Sequence, residues 1–547
     1  MTTKQNDSGR IRVADITLAQ LSRGLYKSTA SVFKELISNA HDADATEVNI
    51  NTNYPAFDFI SCVDNGTSMT IEEFLRYFSA EGIGSCIKRK HNKDVTDIYK
   101  RPIIGKLGIG MLAIAQLCDS FQIESHYVDE KTDKGKAYWA EIVLEDIFPF
   151  SNREETIRNN NEKKKEIDVG TWTYKEIEYD KTKKGFRIYS SDVRKTFRDE
   201  MKNSLDSSQQ KKMSFNLSDL HTEFYEKSNK SIRDCKAYLE TIWELGILCS
   251  LPYYGDIKKC PVDLSTFTSQ ETKSDEYKKA VHVINDKQKE FLDGNFRVVF
   301  DGIELKRYIK LPNEENVISK LYHIAYNDKV YGSKLKFSGY LFAQVARAVR
   351  PLELNGVQIR LKRVGIGGYD STFLKYYKEI ETIRNKWVSG EIFVEEGLEI
   401  ALNIDRDSFN EHDEHFKKLQ SVLHEKLDTV FNEIRNISKE SHVTERSKTD
   451  KRLKESLQRT VSEESNGKIK LTFKEMGKTE PVIKVDKQSG QIILNTSSRP
   501  SKKKKNNSII QSIEIAYYIS RELHKNDEEA RHEKFLQLIK RILDEVL

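Results

Sequence analysis

The sequence predicts an α+β protein of three domains, and its length, hydropathy pattern and glycine motifs support that prediction. A chain of 547 residues has room for about three or four domains. An amphipathic stretch at 31–44 precedes short apolar runs at 48–50 and 57–63, which predicts a helix packed on a sheet. We place the predicted domains at residues 1–195, 196–440 and 441–547.

The composition indicates a soluble protein with a large core and a charged surface. Hydrophobic residues make up 37% of the chain and charged residues 32%. The net charge of +5 is too close to balance to indicate nucleic-acid binding by itself. No apolar run has the length of a membrane span, so we expect no membrane association. The six cysteines form no CxxC pair, which predicts a reduced, cytoplasmic protein without structural zinc.

The predicted helix at 31–44 carries the first candidate site residues, in the motif that runs from Glu35 to Asp42. Glu35 and Asn39 are four residues apart, so their side chains stack on one helix face. A carboxylate stacked on a carboxamide can hold a water molecule and a metal ion over one spot.

The second candidate motif is the segment Asp-Asn-Gly-Thr-Ser-Met at 64–69. Asp64 ends the apolar run at 57–63, and an open sheet places ligand groups at the carboxyl ends of its strands. Gly66 and Met69 follow it directly. Alone, such a segment is more often a simple turn.

Two glycine motifs complete the set. The first is Gly-Ile-Gly-Ser at 82–85, and the second is Gly-Lys-Leu-Gly-Ile-Gly at 105–110, before an apolar stretch predicted to be a helix. Free N–H groups at a helix start can cradle phosphate. Each motif alone also has an ordinary interpretation, such as a solvated helix face or a tight helix entry. Because all four occur in order within one domain, we favour one shared phosphate-binding site over four separate ordinary features.

The order, spacing and residue types of these motifs resemble the GHKL ATPases, which include gyrase, the heat-shock chaperones, histidine-kinase catalytic domains, MutL and the Microrchidia proteins. The segment 35–43 resembles the chaperones almost letter for letter, whereas Asp44-Ala45-Thr46 is more similar to MutL. The resemblance implies a Bergerat α/β sandwich, followed by an α/β transducer-type middle domain and a small α+β C-terminal domain.

The resemblance also implies a role for each candidate residue. Glu35 is the expected general base, Asn39 the Mg²⁺ ligand, and Asp64 the acceptor for the adenine amino group of ATP. The other expected nucleotide contacts are Asp42, Gly66, Met69, Gly84, Ser85, Gly105, Lys106, Gly108, Ile109 and Gly110.

Two positions need comment against the family pattern. Ser68 stands where the family usually has a second glycine, which narrows the expected pocket. The family often has a Gly-Thr step on a late strand near the base. Gly170-Thr171 and Gly185-Phe186 are both candidates for that step, and we assign Thr171 while both stay open.

The predicted middle domain contains a hairpin at 296–305 on an Asp-Gly turn. Farther on, the segment 402–406 resembles the chaperone segment whose arginine reaches the terminal phosphate. The resemblance implies that Arg406 is a catalytic residue that stabilises transition-state charge. The alternative is a local ion pair of Arg406 with Asp405 or Asp407.

The charged stretch at 438–466 predicts a helical connector to a last domain of three strands and two amphipathic helices. The resemblance implies an Mg²⁺-dependent ATPase that closes like a clamp and forms an ATP-dependent homodimer at its N-terminal end. Expected roles are bacterial genome maintenance, chaperone-like work or defence, on DNA or a partner effector protein. The alternative is a nucleotide-regulated sensor subunit of a defence or restriction-type complex with little turnover.

Overall fold

The computed structural model contains two units, residues 1–432 and 433–547, which are described separately. The description covers residues 7–14, 28–78, 95–105, 110–129, 132–144, 166–203, 231–232, 237–255, 261–312, 317–377, 382–403, 406–464, 467, 470–476, 483–486, 491–495, 516–517, 520–521, 524 and 526–546.

A nine-stranded sheet forms the first layer of the first unit, in the order β1-β6-β5-β4-β7-β3-β2-β8-β9. All neighbours in it are antiparallel except β2 and β8. The strands are β1 (Asp7–Ala14), β2 (Glu47–Asn51), β3 (Ile60–Asp64), β4 (Cys118–Asp129), β5 (Lys134–Leu144), β6 (Glu166–Ile177), β7 (Gly185–Val193), β8 (Arg297–Phe300) and β9 (Ile303–Glu304).

Helices cover this sheet: α1 (Thr29–Asp42), α2 (Ile71–Tyr77), α3 (Lys195–Asn203) and α4 (Ala237–Leu248). The Ser28 hydroxyl caps α1 by accepting a hydrogen bond from the Ser31 N–H, and Phe33 of α1 packs edge-on against Phe300 of β8. The predicted glycine-motif helix is a 3₁₀ helix, Gly110–Gln116. The mixed α+β fold predicted from the sequence is confirmed.

The predicted Asp-Gly hairpin forms, but it belongs to a different sheet from the one expected. Asp301 and Gly302 have φ values of 47° and 82°, as a two-residue hairpin turn requires. Thr52 donates to the Asp301 carboxylate through its N–H and its hydroxyl, both at 2.6 Å. The hairpin therefore extends the first sheet beside β2. This sheet thus includes strands from both sides of residue 195, the predicted boundary between the first two domains.

A five-stranded sheet forms the second layer, in the order β10-β11-β14-β12-β13. Helix α5 (Asp275–Asp293) packs on β10 and β11. Two of its hairpins have two-residue turns, Tyr331-Gly332 and Lys362-Arg363. The strands are β10 (Ser319–Val330), β11 (Ser333–Gln344), β12 (Gly356–Leu361), β13 (Val364–Asp370) and β14 (Val388–Glu396), and a short helix α6 (Thr382–Asn385) precedes β14.

A buried charged network ties this second sheet to α4. The Glu391 carboxylate accepts hydrogen bonds from Arg307 at 3.0 Å and from Tyr340 at 2.8 Å. Arg360, which is 0% exposed, lies 3.5 Å from the same carboxylate and donates to the carbonyls of Ile247 and Cys249, both at 2.7 Å. Burial lowers the pKa of Arg360 to about 10. Because buried charges are costly without partners, the network fixes β12 against the end of α4.

The second unit has a three-stranded sheet in the order β15-β17-β16, and a helix near the end of the chain. Its strands are β15 (Lys470–Lys474), β16 (Ile483–Asp486) and β17 (Gln491–Asn495), and the helix α7 (Glu414–Glu464) contains the boundary between the units, while α8 (Glu528–Val546) follows the strands. Within the part of the chain that the structure describes, no helix is long and apolar enough to cross a bilayer.

Candidate nucleotide site

Helix α1 presents Glu35, Asn39 and Asp42 toward one side, as their spacing of four and three residues predicts. Glu35 is 5% exposed and Asp42 is 9% exposed, whereas Asn39 is half-buried. A solvated helix face would leave both carboxylates in water. The burial of Glu35 and Asp42 therefore excludes that ordinary interpretation and requires partners for both charges.

Asp42 holds two backbone N–H groups of the loop that leads to the 105–110 motif. Its carboxylate oxygens accept from Ile104 N at 2.8 Å and from Gly105 N at 2.6 Å. Asp44, just after α1, holds Ile98 N at 2.8 Å in the same way. The end of α1 thus fixes the approach to Gly105.

Arg101 also holds the loop that leads to Gly105. It was not identified as a site residue from the sequence. It is 1% exposed, and its guanidinium donates to the Ala45 carbonyl at 2.6 Å and to the Gly294 carbonyl at 3.0 Å. It also donates to the carbonyls of His41 and Asn295. No sequence pattern signals such a residue, because all four of these acceptors are backbone groups.

Asp64 lies at the end of β3 with 8% exposure. It accepts a hydrogen bond from Gly66 N at 2.8 Å and one from the Phe186 backbone. Burial outweighs these donors and raises the pKa of Asp64 to about 6. A buried carboxylate with spare acceptor capacity is suited to a neutral donor such as an amino group.

Close backbone approaches surround Asp64. A Cβ on Gly66 would lie 2.5 Å from the Ala43 carbonyl oxygen, so only glycine fits there. Gly185 has a φ of +116°, and a Cβ on it would clash with the carbonyl oxygen of Asp64. The Ser68 hydroxyl accepts from Gly185 N at 3.1 Å and lies 2.5 Å from the His126 carbonyl oxygen. Ser68 thus connects the segment after Asp64 to β4 and β7.

Arg406 reaches Glu35 across the two layers of the first unit. Its Nη1 lies 3.1 Å from Oε2 and 3.3 Å from Oε1 of Glu35, and its Nη2 donates to the Ile104 carbonyl. The next residue, Asp407, binds Lys34 Nζ at 2.8 Å. Arg406 therefore pairs with the expected base rather than with Asp407, and Asp405 lies outside the described residues.

Comparison with known proteins identifies the region that carries this site. Residues 26–147 match the model of the histidine kinase-, DNA gyrase B- and HSP90-like ATPase family. Residues 26–147 belong to that ATPase family. The matched segment includes every motif from Glu35 to Gly110, and the resemblance seen in the sequence is confirmed.

Two curated proteins are similar to about a fifth of the chain each. The chain is 37% identical over 109 residues to the "Putative type II restriction enzyme HgiDII" of Herpetosiphon aurantiacus, covering 20% of this chain. It is 29% identical over 107 residues, or 19% of its length, to the DNA mismatch repair protein MutL of Chlorobium phaeobacteroides (strain BS1). Each alignment spans 16% of the relative's own length.

Among solved structures, the N-terminal domain of a DNA repair protein aligns with 76% of this chain and 97% of its own length. The identity is 10% and the TM-score is 0.36, a likeness too low to establish a shared fold.

The structure places one expected pocket residue away from Asp64. Thr171 lies on β6, and three strands (β5, β4 and β7) separate β6 from β3, which ends at Asp64. Its side chain is also exposed. Gly185, the other candidate, is the glycine beside Asp64, because β7 pairs directly with β3.

The remaining predicted contacts divide into two groups. Met69 packs against the core of the ATPase region, and its carbonyl accepts from the Ser125 hydroxyl at 2.7 Å. Gly110 begins the 3₁₀ helix. Gly84, Ser85, Lys106, Gly108 and Ile109 lie outside the described residues.

The donor set around Asn39 suits Mg²⁺ held mainly by phosphate and water. Within the described ranges, no three His, Cys, Asp or Glu side chains converge as metal ligands. Mg²⁺ commonly keeps several waters and binds through one or two protein groups plus substrate phosphates. The half-buried carboxamide of Asn39, one turn from Glu35, fits that requirement.

The close approach at Gly185 gives a first prediction. Gly185→Ala should lower the free energy of unfolding by about 3 kcal/mol, because the added Cβ meets the Asp64 carbonyl and the left-handed φ disfavours alanine. Urea unfolding measures this. Gly368→Ala is the control, since nothing lies within 4 Å of the added Cβ, and it should change stability by less than about 0.5 kcal/mol. Equal losses for both variants would contradict the packing seen here.

The raised pKa of Asp64 gives a second prediction. An amino donor binds the ionised carboxylate better, so affinity for adenosine should be constant above about pH 6 and fall as the pH drops through the pKa of about 6. At one pH unit below this pKa, adenosine should bind about tenfold more weakly. Calorimetric titration with adenosine is the measurement, because adenosine carries no titrating phosphate. A flat profile from pH 5 to pH 8 would remove Asp64 as the acceptor.

Proposed function

We propose that this chain binds ATP with Mg²⁺ in the cytoplasm and hydrolyses it. The cycle of binding and hydrolysis would move the nine-stranded and five-stranded sheets of the first unit relative to each other. The observation that carries this proposal is the contact between Glu35 and Arg406. It joins a family-specific ATPase helix to a guanidinium from the second layer, at 3.1 Å.

The proposed chemistry assigns one task to each residue. Asp64 accepts a hydrogen bond from the adenine amino group. Glu35 takes a proton from the attacking water. Mg²⁺, held through Asn39, would neutralise phosphate charge. Asp42 contributes by holding Ile104 and Gly105, and thereby shapes the entrance to the phosphate motif.

The Glu35–Arg406 pair supports a switch in the proposed cycle. While the guanidinium lies against the carboxylate, Glu35 is less free to act as a base. A bound terminal phosphate offers Arg406 a stronger anionic partner, which it can hold through its planar fork of N–H groups. Transfer of Arg406 to phosphate would free Glu35 at the moment the substrate is in place.

We propose that this transfer closes a clamp and pairs two copies of the chain at the N-terminal end. The names of the two curated relatives, a restriction enzyme and a mismatch repair protein, favour DNA or a DNA-directed effector as the partner. The alignments cover 20% and 19% of this chain, so the partner of the whole chain is part of the proposal.

A second candidate function is a nucleotide-regulated sensor subunit of a restriction or defence complex. The same ion pair favours it, because ATP hydrolysis would be slow as long as Arg406 holds Glu35, the expected base. ATP hydrolysis measured with and without duplex DNA distinguishes the two candidates. Stimulation by DNA that falls steeply as the salt concentration rises would favour the DNA clamp. Tight ATP binding with the same low turnover under all conditions would favour the sensor.

The assignment of Glu35 gives a third prediction. Glu35→Gln keeps a hydrogen-bonding partner for Arg406 but cannot take a proton, so turnover should fall by about a hundredfold or more while ATP affinity stays within about twofold. Steady-state hydrolysis and equilibrium binding measure the two quantities. Glu72→Ala, an exposed glutamate in the same region, is the control and should match wild type. Wild-type turnover in Glu35→Gln would remove it as the base.

The assignment of Arg406 gives a fourth prediction. Arg406→Ala should slow single-turnover hydrolysis by about tenfold or more with ADP affinity unchanged, and Arg406→Lys should recover part of the rate. Asp407→Asn is the matched control, because it removes the neighbouring pair with Lys34 and leaves the guanidinium. Its hydrolysis rate per folded molecule should be normal. If Arg406→Ala only lowers the melting temperature, the residue is structural.

A further inference from the structure

The turn between β12 and β13 has an unusual composition for its backbone. Leu361 and Val364 are paired, so Lys362 and Arg363 form a two-residue hairpin loop. Their φ values are 50° and 73°, both in the left-handed region. Such turns strongly prefer Asn-Gly, since longer side chains are strained there. Strain of this kind persists where the surroundings enforce it, and it is concentrated at functional sites.

Contacts within the second layer hold this turn in place. Arg360 donates to the Arg363 carbonyl at 3.0 Å, and Arg360 is itself anchored by the carbonyls at the end of α4. The Arg363 side chain donates to the Glu290 carbonyl at 3.1 Å, in the last turn of α5. The turn therefore has a fixed position relative to the five-stranded sheet.

From this position Lys362 reaches into the ATPase region. Its Nζ donates to the Ile103 carbonyl at 3.2 Å, and the side chain is half-buried. The next carbonyl, that of Ile104, accepts from Arg406. The N–H groups of Ile104 and Gly105 are held by Asp42. Two cations from the second layer thus hold consecutive carbonyls of the peptide that ends at Gly105.

We propose that Lys362 is a positioning residue for the ATPase reaction. It holds the peptide 103–105 so that Gly105 enters the phosphate motif in its binding geometry. Asp42 holds the N–H side of this peptide and Arg406 holds the Ile104 carbonyl, while Lys362 holds the preceding carbonyl, that of Ile103. The ammonium fixes the carbonyl side, and a hydrogen bond from a charged donor in a half-buried site is stronger than one between neutral groups. This role rests on the proposed function of ATP binding.

The position offers an unusually sharp variant. Lys362→Asn places a residue that favours the left-handed region at the turn, so the hairpin should not be destabilised, yet it removes the ammonium. Lys362→Arg keeps a cation of similar reach. The matched control is Tyr331→Asn, at the first position of the other two-residue hairpin in the same sheet, where Tyr331 has a φ of 49° and is 87% exposed.

Two measurements test the proposal. Hydrogen exchange of the full chain without nucleotide reports directly on the amides of Ile104 and Gly105, which should exchange about tenfold faster in Lys362→Asn. Binding of ATP should weaken by about tenfold in the same variant, whereas binding of adenosine, which has no phosphate, should stay at the wild-type level. Lys362→Arg and Tyr331→Asn should resemble wild type in both.

The outcomes are distinct from those that test the proposed function. A wild-type chain that binds no ATP would reject the proposed function and the role of Lys362 in the reaction together. Normal ATP binding by wild type with unchanged exchange and unchanged ATP affinity in Lys362→Asn would reject the role of Lys362 alone. Equal losses of adenosine and ATP binding in Lys362→Asn would also reject it, since they would indicate a general structural defect.

Discussion

The ion pair between Glu35 and Arg406 is the constraint on which the arrangement of the site depends. The two residues are 371 positions apart in the chain, and both side chains are largely withdrawn from water. Separating them would leave two poorly solvated charges without an ionic partner, which is costly. The adjacent pair of Lys34 with Asp407 repeats the contact with the signs reversed. A shift of the segment 406–407 by one residue would bring Asp407 against Glu35, and the repulsion between these carboxylates disfavours that register on α1.

Hydrogen bonds at the peptide 103–105 extend this constraint. Arg406 contacts both the Glu35 carboxylate and the Ile104 carbonyl. One guanidinium therefore binds the expected base and the peptide that leads into the 105–110 motif. Any movement of the second layer that displaces Arg406 acts on both at once. In the proposed cycle, these few polar contacts would carry communication between the layers.

The sequence predicted those parts of the site whose chemistry is local. Glu35, Asn39 and Asp64 follow from helix spacing and from the end of an apolar run, and the structure places them on the elements expected. The position of Thr171, away from Asp64, was not foreseen because strand order depends on pairing between distant segments, which periodicity within β6 or β7 does not encode. The same reason explains why β8 was expected in a different sheet. The anchoring role of Arg101 was missed because its acceptors are backbone carbonyls, which every residue type provides.

The parallel pairing of β2 with β8 has a consequence for how the chain acquires its structure. About 250 residues separate the paired segments (Glu47 pairs with Arg297), so the β2 edge stays open until most of the chain has left the ribosome. An uncovered strand edge is a template for association with other chains. Strands β6 and β7 also follow the segment at 26–147 that identifies the family. The ATPase sheet is therefore assembled late and from distant parts, and contacts of such high sequence separation form slowly.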